Sequence, residues 1–225
     1  MASRPYARAP SIEVVVFDMD GVLNDSEPLG MEAMRRMLAR HAIPYTEADN
    51  QELIGRTTLD CCRILRARHR LEPAEDALAR VYLDELLGLL RERPRPMPGV
   101  PEVVERLPGL GYRVALASSA EPEVIGATLD ALGLRRAFEV VVSGVEVPRG
   151  KPAPDVFLET ARRLGVAPAR CVVVEDSRNG MLAAKAAGMR CAVIPCPTTA
   201  GQDFAEADWR LAGLPELPAA LTPRA

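Results

Sequence analysis

No apolar run in this chain approaches the roughly 18 residues that a membrane-spanning helix needs, so no membrane partner is expected. Histidine is scarce. Only His41 and His69 occur, both in a helical region and outside any motif, which argues against a Ser-His-Asp or Cys-His enzyme. Lysine is equally scarce: Lys151 and Lys185 stand alone, and the remaining basic charge is arginine. The five cysteines (Cys61, Cys62, Cys171, Cys191 and Cys196) are odd in number and scattered, which fits neither a zinc site nor a disulfide framework. That usage points to a reducing cytoplasm, with Cys171 as a core residue. The net charge of −3 gives no footprint for nucleic acid. Residues 1–10, MASRPYARAP, carry arginines but no apolar stretch follows. They are expected to form a frayed tail without a signal peptide. Internal repeats and low-complexity segments are also missing, so the 225 residues make one large or two small domains.

What is present is concentrated in Val14–Glu27, VVVFDMDGVLNDSE. Val14 to Phe17 reads as a buried parallel strand running straight into Asp18 and Asp20. Residues two apart on a strand share a face, so both carboxylates can project from its C-terminal end, where open α/β sheets bind ligands. Gly21 permits the sharp turn that follows. Two acids held there repel each other, and a cation relieves them.

Downstream, strand character disappears over roughly 29–93. Met31, Met34, Met37 and Leu38 recur at helical spacing, Thr46 suits the cap of a second helix, and Thr57 or Thr58 that of a third running to about His69. Pro73 suits the start of a fourth, with Leu78, Val81, Tyr82, Leu86 and Leu89 on one face. PRPMPGV, residues 94–100, reads as a return linker. From there helices and strands alternate. Helices are expected over 100–107, 122–132, 154–164 and 178–187, and strands over 112–117, 138–142, 171–174 and 190–194. The tail adds an edge strand in ADWRLAG and a short helix over 214–221. Such alternation implies right-handed crossovers and a parallel sheet. The expected fold is α/β, a Rossmann-like parallel-sheet core with an inserted α-helical bundle cap. The core takes residues 11–28 and 97–225 and the cap 29–96. An insertion on the catalytic edge is well placed to act as a lid.

Three further polar clusters fall at or beside strand ends. Ser118 and Ser119 follow YRVALA, and their hydroxyls, with backbone N–H groups ahead of a helix, suit a phosphate oxygen. Lys151 lies in EVPRGKPAPDVF, where Pro152 and Pro154 stiffen the backbone. Glu175 and Asp176 end the strand CVVV, as Asp18 ends its own. Together these supply a cation site, a second carboxylate, hydroxyl donors and one positive charge. That set suits phosphoryl transfer with Mg²⁺, which prefers hard oxygen ligands.

FDMDGVLNDSEPL, ALASS, GKPAPDVF and VVVEDSRNG, in this order, resemble the motifs of the haloacid dehalogenase superfamily across nearly the whole chain. The similarity is greatest to its phosphatase and phosphoglucomutase-like branch, whose helical cap follows the first strand. The resemblance implies that Asp18 is a nucleophile forming an aspartyl-phosphate. Asp20 would protonate the leaving oxygen, then activate water, and bind Mg²⁺ through its backbone carbonyl. It further implies that Ser118, with Ser119 beside it, and Lys151 hold the phosphate, and that Glu175 and Asp176 join Asp18 at the metal. Asp20 argues against dehalogenation, which lacks an acid there. A cap without lysine argues against the Schiff-base phosphonatases. The β-phosphoglucomutases carry a histidine twelve residues after the nucleophile, where this chain has Gly30, and a cap arginine three residues after a glycine, whereas Arg56 here directly follows Gly55. Gly55, Arg56 and Thr57 are expected to form a specificity loop facing Asp18. The expected activity is Mg²⁺-dependent hydrolysis of a small phosphorylated metabolite, a sugar or polyol phosphate, by a monomer. A sugar phosphomutase and a non-enzymatic phospho-acceptor module are the alternatives.

Overall fold

The computed structural model describes residues 11–53 and 57–222; the expected N-terminal tail lies outside them. Among the described residues, six strands form one parallel sheet: β1 (Val14–Phe17), β2 (Arg113–Ser118), β3 (Val140–Ser143), β4 (Cys171–Glu175), β5 (Arg190–Val193) and β6 (Trp209–Arg210), in the order β3-β2-β1-β4-β5-β6. β1 sits between β2 and β4, with Phe17 aligned to Leu116 on one side and Val174 on the other. A run of four apolar residues is what a strand buried on both faces requires. Val15 and Phe17 join Val114, Leu116, Val172 and Val174 on one face, while Val14 and Val16 join Ala115, Ala117, Cys171 and Val173 on the other. Helices α5 (Val100–Arg106), α6 (Pro122–Ala131) and α9 (Leu217–Leu221) cover the first face, and α7 (Asp155–Leu164) and α8 (Arg178–Ala186) the second. The result is a three-layer, Rossmann-like core.

Between β1 and α5 the chain leaves the sheet and forms α1 (Glu27–Ala39), α2 (Glu47–Leu53), α3 (Thr58–His69) and α4 (Glu75–Glu92). The insertion has its own apolar cluster, in which Met34, Met37, Leu38, Leu65 and Leu78 are buried. Its local signals work as their chemistry predicts. Thr46 and Asp49 bond reciprocally at the start of α2, and the Thr57 side chain accepts from the amide of Asp60 at the start of α3. Pro73 lies two residues ahead of α4 rather than at its first position, and its carbonyl accepts from Arg66. The outgoing and returning connections cross side by side. The Asp25 amide bonds the Arg95 carbonyl, the Met97 amide bonds the Leu23 carbonyl, and Arg95 pairs with Asp25.

Some boundaries differ from expectation by one or two residues. Phe138, expected at the start of β3, instead packs edge-on against Phe17 with ring centroids 6.2 Å apart, and the strand begins at Val140. Burying its ring beneath the sheet draws Phe138 out of the ladder. The expected tail helix divides into a 3₁₀ turn, Leu214–Glu216, and α9, because Pro215 and Pro218 deny amide donors.

Candidate active site

The parallel register brings the C-terminal ends of β1, β2 and β4 to one edge of the sheet. Asp18 follows β1, and its amide bonds the Val174 carbonyl of β4. Glu175 closes β4, Asp176 follows, and Ser118 closes β2. The carboxylates of Asp18, Glu175 and Asp176 are buried, with oxygens that all lie within 4.8 Å of one another.

Lys151 enters from the loop ahead of α7. Its ammonium donates to Asp18 Oδ1 at 2.5 Å and Glu175 Oε1 at 2.7 Å, and lies 5.0 Å from the centroid of the Phe157 ring. Burial works against its charge, but Asp18 and Glu175 more than offset this and hold it firmly protonated. The second oxygen of Glu175 accepts from the Asp176 amide and from both the amide and the hydroxyl of Ser177. Both Glu175 oxygens are therefore engaged, whereas Asp18 and Asp176 each keep one oxygen without a hydrogen-bond partner among the described residues. Gly180 makes this placement possible, since a Cβ there would fall 1.7 Å from Glu175 Oε1.

Burial pushes Asp18 well above the usual carboxylate range, and Lys151 draws it only part of the way back against Glu175 and Asp20. Asp176 is pushed up to about 9, first by burial, then by the Glu175 charge and by Cys196. Gly21, at φ +75°, brings its backbone against Asp176; a Cβ there would lie 2.4 Å from Asp176 Oδ2. Three crowded carboxylates with hard oxygen donors are the chemical complement of a small divalent cation, and they fit Mg²⁺.

Asp20 is also raised, by burial, against a hydrogen bond with Ser26. Ser26 precedes α1 without capping it, because its hydroxyl is turned to Asp20. Asp20 borders two cavities. One of about 910 Å³ opens toward the loops after β4 and β5, and the other, of about 710 Å³, lies beneath the inserted helices. Ser119 and Lys151 line both. Ser118 is fully buried and its Oγ accepts from the Ala120 amide, leaving its hydroxyl hydrogen to donate. Thr57 lines the cavity beneath the helices, while Gly55 and Arg56, expected beside it, lie outside the described residues.

Sequence reasoning missed Cys196 and Thr199. The Cys196 thiol is 3.1 Å from Asp176 Oδ2, and Thr199 reaches the same oxygen at 3.5 Å. The signal was positional. β5 pairs with β4 through Glu175↔Val193, so the residues after β5 emerge beside Asp176.

A family model for haloacid dehalogenase-like hydrolases matches residues 12–188, and the chain belongs to that family. Hexitol phosphatase B of Escherichia coli is 35% identical over 92% of this chain and 95% of its own length. Protein CbbY of Rhodobacter capsulatus is 33% identical over 94% and 96%. The structure of CbbY from Rhodobacter sphaeroides in complex with xylulose-(1,5)bisphosphate superimposes with a TM-score of 0.84 at 29% identity, covering 93% of this chain and 99% of that one. Within the family, this chain is a hydrolase of the phosphatase and β-phosphoglucomutase-like branch.

Proposed function

We propose that the protein is a Mg²⁺-dependent phosphatase of sugar or polyol phosphates, working through an aspartyl-phosphate on Asp18. The observation that carries this reading is the convergence of Asp18, Lys151 and Asp176 at one sheet edge, where all three line a cavity of about 910 Å³, large enough for a small metabolite. Asp18 attacks phosphorus; the Oδ–P bond forms as the bond from phosphorus to the alcohol oxygen breaks. Asp20 gives that oxygen its proton, then as carboxylate takes one from water, whose oxygen displaces Asp18 to release inorganic phosphate. Lys151 and the hydroxyls of Ser118 and Ser119 hold phosphate oxygens. Mg²⁺ would rest on Asp18, Asp176 and the Asp20 carbonyl, with Glu175 positioned beside them, and would neutralise charge building on the phosphoryl group. The inserted helices, residues 29–96, act as a cap over the core formed by 11–28 and 97–225. Thr57, which lines the cavity beneath the helices, takes part in selecting the substrate. A non-enzymatic phospho-acceptor would need neither that cavity nor Asp20. We place the protein in the cytoplasm, as a monomer.

Activity is expected to fall to background in excess EDTA and to return with Mg²⁺. Asp176→Ala should raise the Mg²⁺ concentration giving half-maximal rate at least about tenfold. Full turnover in EDTA rejects the metal assignment. Product analysis separates phosphatase from mutase. A mutase must shield its aspartyl-phosphate from water until a second hydroxyl arrives, and Gly30 supplies no side-chain hydrogen bond for that purpose. Hexose 1-phosphates should therefore yield one inorganic phosphate per turnover with no bisphosphate activator. Accumulation of glucose 6-phosphate from β-glucose 1-phosphate, with little free phosphate, replaces this reading with the mutase.

A further inference from the structure

The cavity beneath the inserted helices contains a tyrosine with no evident structural task for its hydroxyl. Tyr82, on α4, packs its ring against both the core cluster and the cluster of the insertion, which fixes its orientation. Its hydroxyl lines the cavity and has no hydrogen-bond partner among the described residues. Buried or half-buried tyrosine hydroxyls normally find one. Gly30, on α1, makes room for it: a Cβ at position 30 would lie 3.3 Å from the Tyr82 oxygen, closer than ordinary carbon–oxygen contact. Gly30 and Tyr82 are thus a matched pair, in which the glycine of one helix leaves the space that the phenol of another reaches.

The surroundings indicate what the phenol meets. Burial, followed by the nearby charges of Asp20, Glu121 and Glu27, pushes the Tyr82 hydroxyl up from its usual range, so it remains a proton donor. A second orphan hydroxyl faces the same space: Thr128, on α6, is 1% exposed and its Oγ1 has no partner among the described residues. The same cavity is lined by acceptors, among them the carboxylates of Asp20 and Glu27, the latter also taking the Asn50 amide. Donors without partners beside carboxylates match a ligand that both accepts and donates. Hydroxyl groups do so, and an aryl or alkyl chain does not.

We propose that Tyr82 is a specificity-determining residue that hydrogen-bonds a free hydroxyl on the alcohol portion of the substrate, in the space left open by Gly30. The substrate class is accordingly a monophosphate whose alcohol is polyhydroxylated, with one hydroxyl within reach of Asp20. This inference rests on the phosphatase reading and adds the group that selects the alcohol. A site built to pair with a substrate hydroxyl discriminates strongly against a substrate lacking it, because the site's own polar groups are left unpaired.

The test compares phosphate release from a hexitol monophosphate and from phenyl phosphate, which has no free hydroxyl, in the wild type, Tyr82→Phe, Gly30→Ala and the double variant. The expected result is that Tyr82→Phe lowers the ratio of kcat/KM for the hexitol phosphate over phenyl phosphate by about tenfold or more. Gly30→Ala, by crowding the phenol oxygen, should lower the same ratio, and the double variant should fall little below Tyr82→Phe alone. A ratio within twofold of wild type in Tyr82→Phe overturns the proposal, as does an equal loss on both substrates, which marks a packing role. Independent, multiplying losses in the double variant overturn the pairing with Gly30. A wild type that releases phosphate from neither compound nor from hexose 1-phosphates refutes the phosphatase reading itself, and this inference with it.

Discussion

Asp18→Asn is expected to cut phosphate release by at least about 10⁴-fold while leaving the fold intact. The amide matches the carboxylate in size but is too poor a nucleophile to attack phosphorus, and no neighbour can substitute. Glu175 has both oxygens committed, one to Lys151 and the other to Asp176 and Ser177. Asp176 begins the connection after β4, and one of its oxygens is held by Cys196 and Thr199. The variant should be no less stable than the wild type when metal is withheld, because it removes one of three carboxylates confined within 4.8 Å. Its amide oxygen can still accept from Lys151. Thermal melting in EDTA and single-turnover phosphate release check the two halves separately. Activity within a hundredfold of wild type removes Asp18 from the nucleophile's role; a collapsed melting temperature shows that its charge, and not its reactivity, is what the fold requires.

The core of this architecture was legible because its signals are local and redundant. Val14–Phe17 is apolar on both faces, its two acids stand two residues apart, and a turn glycine follows. Each feature alone is common, but all must agree for the strand to end at a site. The ends of β2 and β4 could be read in the same way, since an uninterrupted apolar run that stops at Ser118 or at Glu175 marks the ligand-binding edge. The insertion was legible from its helical spacing and from Thr46 and Thr57, whose hydroxyls satisfy helix-start amides. Contacts fixed by the packing of distant elements were not legible. Cys196 meets Asp176 only because β5 lies beside β4. Tyr82, visible in sequence merely as one member of an apolar stripe, acquires its position from how α4 crosses α1. The engagement of Glu175 depends likewise on the missing Cβ of Gly180 three residues into a helix, which no spacing rule connects to a carboxylate five positions earlier.

Lys151→Met should have the second large effect, on both rate and stability. Methionine nearly matches the lysine stem in volume, so the substitution deletes the charge with little loss of packing. In the wild type that charge is shared between Asp18 at 2.5 Å and Glu175 at 2.7 Å, with the Ala117 carbonyl at 3.4 Å. Removing one partner of a buried ion pair strands the other, at a typical cost of about 3–5 kcal/mol. For a chain of this size that corresponds to a melting temperature lower by about 10 °C in EDTA. Added Mg²⁺ should narrow the gap, because a divalent cation at these carboxylates would offset the same negative charge. It should not rescue turnover, since in the proposed mechanism the ammonium also holds a phosphate oxygen. A fall in kcat/KM of about 10³-fold is expected even at saturating Mg²⁺. Scanning calorimetry with and without Mg²⁺, beside steady-state phosphate release, measures both effects. Turnover within tenfold of wild type shows that Lys151 does not hold the phosphate, and an unchanged melting temperature in EDTA shows that the carboxylates do not depend on it.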